Sequence, residues 1–158
     1  MPRQTVKPRP PGNELVRWVR MRRRLEASPE RVFRAWSDPV ELARWFPQQI
    51  EGGLAVGARS TLVWPEQRVW WDVIEVAPSR RFAVRWPWPP DDRLITTLKV
   101  DLVPAGYGTT LQLEDGPFPL SEPGAIDAWA EALECWAEAL MLLRAHLYFS
   151  VDLRQRPT

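Results

Sequence analysis

The chain is 158 residues long, with 21 lysines and arginines against 20 aspartates and glutamates, one histidine and one cysteine. That length suits a single domain with its own hydrophobic core. The formal net charge of +1 gives no reason to expect a nucleic-acid partner, and the lone Cys135 excludes an internal disulfide. No apolar run reaches the roughly 18 residues that a membrane span needs. The opening MPRQTVKPRPPGNE has no apolar segment of the secretory kind. A cytoplasmic protein without a membrane span is therefore expected.

Charge is unevenly spread: residues 1–44 hold eleven basic and five acidic side chains, residues 45–158 ten and fifteen. A basic face for an anionic partner and an arginine-rich outer strand beside an acidic helix both fit that asymmetry. Residues 1–13, with four prolines and no apolar period, read as a disordered tail ahead of a single domain over 14–150. Residues 151–158 read as a second tail.

Over 15–25, Leu15, Val19, Met21 and Leu25 alternate with Val16, Trp18, Arg20, Arg22 and Arg24, the period of a half-buried strand. Arg17 and Arg23 fall on its apolar side. Ser28 then caps a helix, Pro29 takes its first position and Glu30 suits its positive end. Val32, Phe33 and Trp36 line one side of that helix. Asp38-Pro39 ends it and starts another, on which Leu42, Trp45 and Phe46 share a face.

Beyond Gly57, the stretches 58–64, 68–76, 81–86, 93–103 and 109–115 read as strands. Turn signals separate them at Pro65-Glu66, Pro78-Ser79, 87–92 and 106–108. The short connections suit antiparallel hairpins. Leu94, Thr96, Leu98, Val100 and Leu102 face one way, giving the sheet a dry side. Over 123–149 a long helix carries a stripe of Ile126, Trp129, Ala130, Leu133, Trp136, Ala137, Leu140, Leu143 and Leu147, opposite Asp127, Glu131, Glu134 and Glu138. The order is that of an α+β fold in which a curved antiparallel sheet wraps a long C-terminal helix, with two short helices after the first strand to seal its end.

The stretch EASPERVFRAWSDPVELARWF resembles the strand-helix-helix opening of the START/Bet v 1-like (SRPBCC) superfamily, in particular bacterial proteins similar to Aha-type chaperone ATPase activators. VIEVAPSRRFAVRW and WAEALMLLRAHL resemble that family's central hairpin and closing helix. The resemblance covers about residues 15–149 and implies the helix-grip fold, with a cavity between sheet and helix.

No metal-ligand cluster, GxSxG or phosphate-cradling glycine loop occurs, so no catalytic residue, metal or cofactor is assigned. Cys135 and His146 lie eleven residues apart on one helix, about 16 Å along its axis, which excludes a thiolate-imidazole pair. Cys135 then reads as a small half-buried side chain and His146 as a flanking residue near the helix end. Arg23 is either a polar anchor in an apolar cavity or a partner of Asp72 or Glu75. Asp72 points inward on one parity of its strand; on the other, Trp71 and Val73 do. The segment RWPWPPDD reads either as packed tryptophans or as a lid over a cavity entrance.

The leading expectation is binding of an apolar or aromatic small molecule between the last helix and the sheet. Its walls would be Met21, Phe33, Trp36, Trp71, Asp72, Val84, Trp86, Leu98, Trp129, Leu133 and Trp136, with Arg23 as anchor. A chaperone-linked interaction module, implied by the resemblance, is the alternative. A polyketide-cyclase-like or hydrolase enzyme ranks third, and the chain is expected as a monomer or homodimer.

Overall fold

The structure is a computed structural model that describes residues 15–89 and 92–154. The predicted tail over 1–13 lies outside the described residues, as do two positions of the proposed lid. Strand β1 (Val16–Leu25) is followed by helices α1 (Pro29–Ser37) and α2 (Pro39–Leu42). Strands β2 (Gln49–Glu51), β3 (Arg59–Trp64), β4 (Gln67–Ala77), β5 (Arg81–Trp88), β6 (Leu94–Ala105) and β7 (Gly108–Pro119) come next, and α3 (Ala125–Phe149) closes the chain. The seven strands form one antiparallel sheet in the order β1-β7-β6-β5-β4-β3-β2. It is the helix-grip arrangement: a curved sheet around a long final helix, with α1 against β5, β6 and β7 and α2 packed on α1.

The Ser-Asp-Pro break works through one side chain. Asp38 closes α1 by donating its backbone N–H to the Arg34 carbonyl at 3.0 Å, and its carboxylate accepts from the N–H groups of Val40 at 2.9 Å and Glu41 at 3.2 Å. A residue at φ −94°, ψ 120° thus satisfies both helix ends while the chain turns. The second helix is shorter than the apolar spacing predicts, ending at Leu42. Trp45 and Phe46 nevertheless stay buried in the turn that follows, where the Trp45 indole N–H donates to the Ala35 carbonyl at 2.9 Å.

Strand ends differ from expectation for physical reasons. Pro87 does not end β5, because the β4 ladder stops at Arg85 and leaves the strand with a neighbour only on the β6 side, where proline is tolerated. Gly116-Pro117 does not end β7, because β1 pairs with it as far as Pro119. Gly116 is required by close approach: a Cβ there would sit 2.6 Å from the Trp18 ring. Strand β2 was not expected; its three residues are too few to show a period.

The helix α3 is rotated from its predicted phase. Ala128, Ala132, Trp136, Ala139, Leu140 and Leu143 are buried, whereas Ile126 is 60% exposed and Ala130 and Ala137 face outwards. The alanines let the rod lie close to the sheet, and Trp129 and Leu133 pack half-buried on its flank. More than half of the helix circumference is apolar, so the period alone left the phase open.

Candidate ligand-binding site

The interior between sheet and α3 is filled by aromatic rings. Trp36, Trp45, Trp71, Trp136 and Phe46 are all buried. Trp136 is the hub, with ring centroids 6.0 Å from Trp36, 5.3 Å from Trp86 and 5.2 Å from Phe46. Such offset and tilted contacts are favoured by the ring quadrupoles.

A carboxylate sits among these rings. Asp115 on β7 is fully buried, and one of its oxygens accepts from the indole N–H groups of Trp136 at 2.9 Å and Trp86 at 3.2 Å. Its other oxygen lies 2.5 Å from the Thr96 hydroxyl, which accepts in turn from the Trp88 indole at 2.8 Å. Burial pushes the carboxyl up to about 6, against the hydrogen bonds from Thr96, Trp136, Trp86 and the Gly116 backbone, which favour the charged form. Four elements, β5, β6, β7 and α3, converge on this one group. It was missed because the strand was expected to end there, yet Leu111, Leu113 and Asp115 share a parity that signals an inward side chain.

The second buried polar cluster joins the helix pair to α3. His146 is 6% exposed and Glu41 8%, and His146 Nε2 lies 3.0 Å from Glu41 Oε1. Arg31 donates to the same oxygen, and Arg34 reaches the other at 3.3 Å. Burial would raise the Glu41 carboxyl, but the bonds from His146 and Arg31 outweigh it and leave it below its ordinary range. The expectation that His146 merely flanks the helix end is therefore corrected: Glu41 draws it inward as the partner of a buried charge.

One open space between α3 and the sheet lies at the β3–β4 turn. A cleft of about 420 Å³ is walled by Trp64 from the hairpin and by Cys135, Ala139 and Leu142 from α3, with Phe46 as its floor. Directly behind Phe46 stand Trp71, at 5.8 Å between ring centroids, and Trp136. The buried indole N–H groups of Trp36 and Trp71 and the Ser60 hydroxyl have no acceptor among the described residues. Gln48 and Arg154 form the rim that this cleft shares with a second one of about 680 Å³, lined by Arg31, Arg44 and His146.

The residues expected to line a cavity lie mostly behind Phe46. Trp36, Trp71, Val84, Trp86, Leu98 and Trp136 belong to the packed interior, and Met21, Phe33, Trp129 and Leu133 pack half-buried around it. Of the two parities left open for β4, Trp71 and Val73 point inward. Asp72 faces out, held by Arg59 Nε at 2.6 Å and Nη2 at 2.8 Å. Arg23 is half-buried on the inner side of β1, but its guanidinium turns to the Arg22 carbonyl at 2.9 Å. Neither Asp72 nor Glu75 serves it, since these pair with Arg59 and Arg81. Trp86 and Trp88 are buried. Cys135 is half-buried on the cleft wall, and burial, reinforced by Asp115, Glu138 and Glu131, pushes its thiol up to about 12.

The model of the family described as activator of Hsp90 ATPase homolog 1-like proteins matches residues 26–147. The chain belongs to that family. Solved structures with this fold include MLL2253 from Mesorhizobium loti, with a TM-score of 0.75 at 24% identity over 87% of this chain and 100% of that one. CalU16 from Micromonospora echinospora gives 0.70 at 24% identity, over 85% and 78%. The Aha1 dimer from Colwellia psychrerythraea gives 0.73 at 18% identity, over 84% and 97%. At these identities the likeness is one of fold. No curated protein matches the chain. Among the described residues of this Aha1-like chain, no helix is long and apolar enough to cross a membrane.

Proposed function

We propose that this Aha1-like protein binds a small apolar or aromatic molecule in the cleft between α3 and the β3–β4 hairpin. One observation carries the reading. The last helix and the sheet part at that point over an aromatic floor, Phe46, and leave about 420 Å³ walled by Trp64, Ala139 and Leu142. That size and lining fall in the range of small-molecule sites. The unpartnered Trp71 indole beyond Phe46 adds a donor for a ligand acceptor if the Phe46 ring is displaced.

Tryptophan fluorescence and thermal shift across a panel of apolar small molecules test this. The expected result is saturable binding that Leu142→Trp, which fills the cleft, abolishes without lowering the melting temperature. No response from the wild-type protein to any member of the panel would overturn it.

A second reading rests on family membership and on the exposed arginines Arg20, Arg22 and Arg24 of the edge strand β1. It assigns that face to a chaperone partner. A purified Hsp90-type chaperone whose ATPase rate is unmoved by the protein removes this reading.

A further inference from the structure

The proposed cleft adjoins a cationic one. Gln48 and Arg154 line both, so a molecule lying on Phe46 has one end at the boundary of the second space. Among the described residues around and beneath that space, the guanidiniums of Arg31, Arg34, Arg44 and Arg154 stand against the carboxylates of Glu41 and Asp152, and Glu138 lines the apolar cleft beside it. Across both clefts the described side chains leave a positive surplus.

The four arginines are not equivalent. Arg154 is saturated: it donates to the carbonyls of Ala43, Phe46 and Pro47 and to both oxygens of Asp152, so it serves as wall. Arg31 and Arg34 are committed to Glu41. Arg44 is exposed, lines the cationic cleft and has no carboxylate partner among the described residues. A guanidinium with no carboxylate partner among the described residues, in a cleft that shares its rim with an apolar one, can take a planar carboxylate through two parallel N–H donors.

We infer that the ligand is an amphiphilic anion, with an apolar body over Phe46 and a carboxylate held by Arg44. This deepens the proposed function and rests on it. The unsaturated Arg44 supplies the selectivity, and the apolar cleft supplies most of the affinity.

The test measures dissociation constants by tryptophan fluorescence for two matched pairs: decanoate with 1-decanol, and 2-naphthoate with 2-naphthamide. The first pair represents an acyl ligand and the second an aryl one. In at least one pair the carboxylate is expected to bind about tenfold tighter than its neutral partner at low salt, the size of one charge-assisted contact at the surface. Arg44→Gln should bring the pair within about twofold while leaving the neutral member's affinity unchanged, and Arg44→Lys should keep part of the preference. Rising ionic strength should erode the preference, because Arg44 is exposed.

Equal binding of both members in wild type overturns the inference and leaves the apolar cleft standing. A preference that survives Arg44→Gln overturns the assignment of the anion to this cleft. Failure of all four probes to bind overturns the cleft reading itself.

Discussion

The indole N–H of Trp136, at the middle of α3, donates to the Asp115 carboxylate of β7 across 2.9 Å, and both residues are fully buried. Helix and sheet are thereby joined through a carboxyl that burial makes harder to ionise than in the unfolded chain. Removing a charge there has a direction that can be worked out.

The Asp115 carboxyl is raised from 3.8 to about 6, so the folded protein binds its proton more tightly than the unfolded chain does. Its contribution is fully present below 3.8 and is lost as pH rises through 6, a change of about 3 kcal/mol. Asp115→Asn keeps an oxygen for the two indoles and an N–H for Thr96, and does not titrate. Urea unfolding at pH 4 and pH 7 should show wild type losing about 2 kcal/mol relative to the variant between the two, most of the full change. A difference independent of pH would contradict the raised value.

Glu41 has the opposite sign. Its carboxyl is lowered in the fold, so its contribution is present above the ordinary 4.5 and is lost as pH falls through the folded value. Glu41→Gln should cost about 1–3 kcal/mol at pH 7, because Arg31 and His146 lose a charged acceptor. That deficit should shrink towards zero in acid, where wild type is itself protonated; a deficit constant from pH 7 to pH 3 would rule out the ion cluster as its source.

Cys135 lines an open cleft, yet its thiol is raised from 9.0 to about 12. The thiolate is the reactive form. Iodoacetamide at pH 8 should therefore label it about a thousandfold more slowly than a free cysteine, and labelling should reach the normal rate once urea unfolds the chain. Fast labelling of the native protein is the contrary result.

Asp38 holds two helices at once through its carboxylate and backbone. Asp38→Ala should destabilise by about 1–2 kcal/mol, read as a lowered midpoint in urea. Asp38→Asn, which keeps the capping oxygen, should recover most of it. Equal loss in both variants would mean that the cap is not what fixes the angle.

The order of strands and helices, β2 apart, was legible because the longer elements carry their own signals: alternation on β1 and β6, Ser28 and Asp38 at helix starts, and glycine or proline at most turns. Those signals are local, since cap and pleat involve neighbours in the chain. The aromatic interior was legible in part: Trp36 and Trp136 fell on apolar helix stripes, whereas the inward side of the strand that holds Trp71 stayed open. What stood out of reach were relations between distant positions. Asp115 looks like the end of a strand until Trp86, Thr96 and Trp136 are brought to it from 19 to 29 residues away. His146 looks like a helix terminus until Glu41 arrives from 105 residues away.

By itself the sequence determined the longer strands and the helices, though not β2 or every strand end, because hydrogen-bond geometry within a few residues enforces the periods of 2 and 3.6. Only the tertiary structure decided how α3 is rotated, which charges are buried and where the helix parts from the sheet. Each of those depends on shape and charge meeting across the fold: alanines that permit close approach, carboxylates that find donors on other elements, and a Phe46 ring that fills the gap behind the cleft.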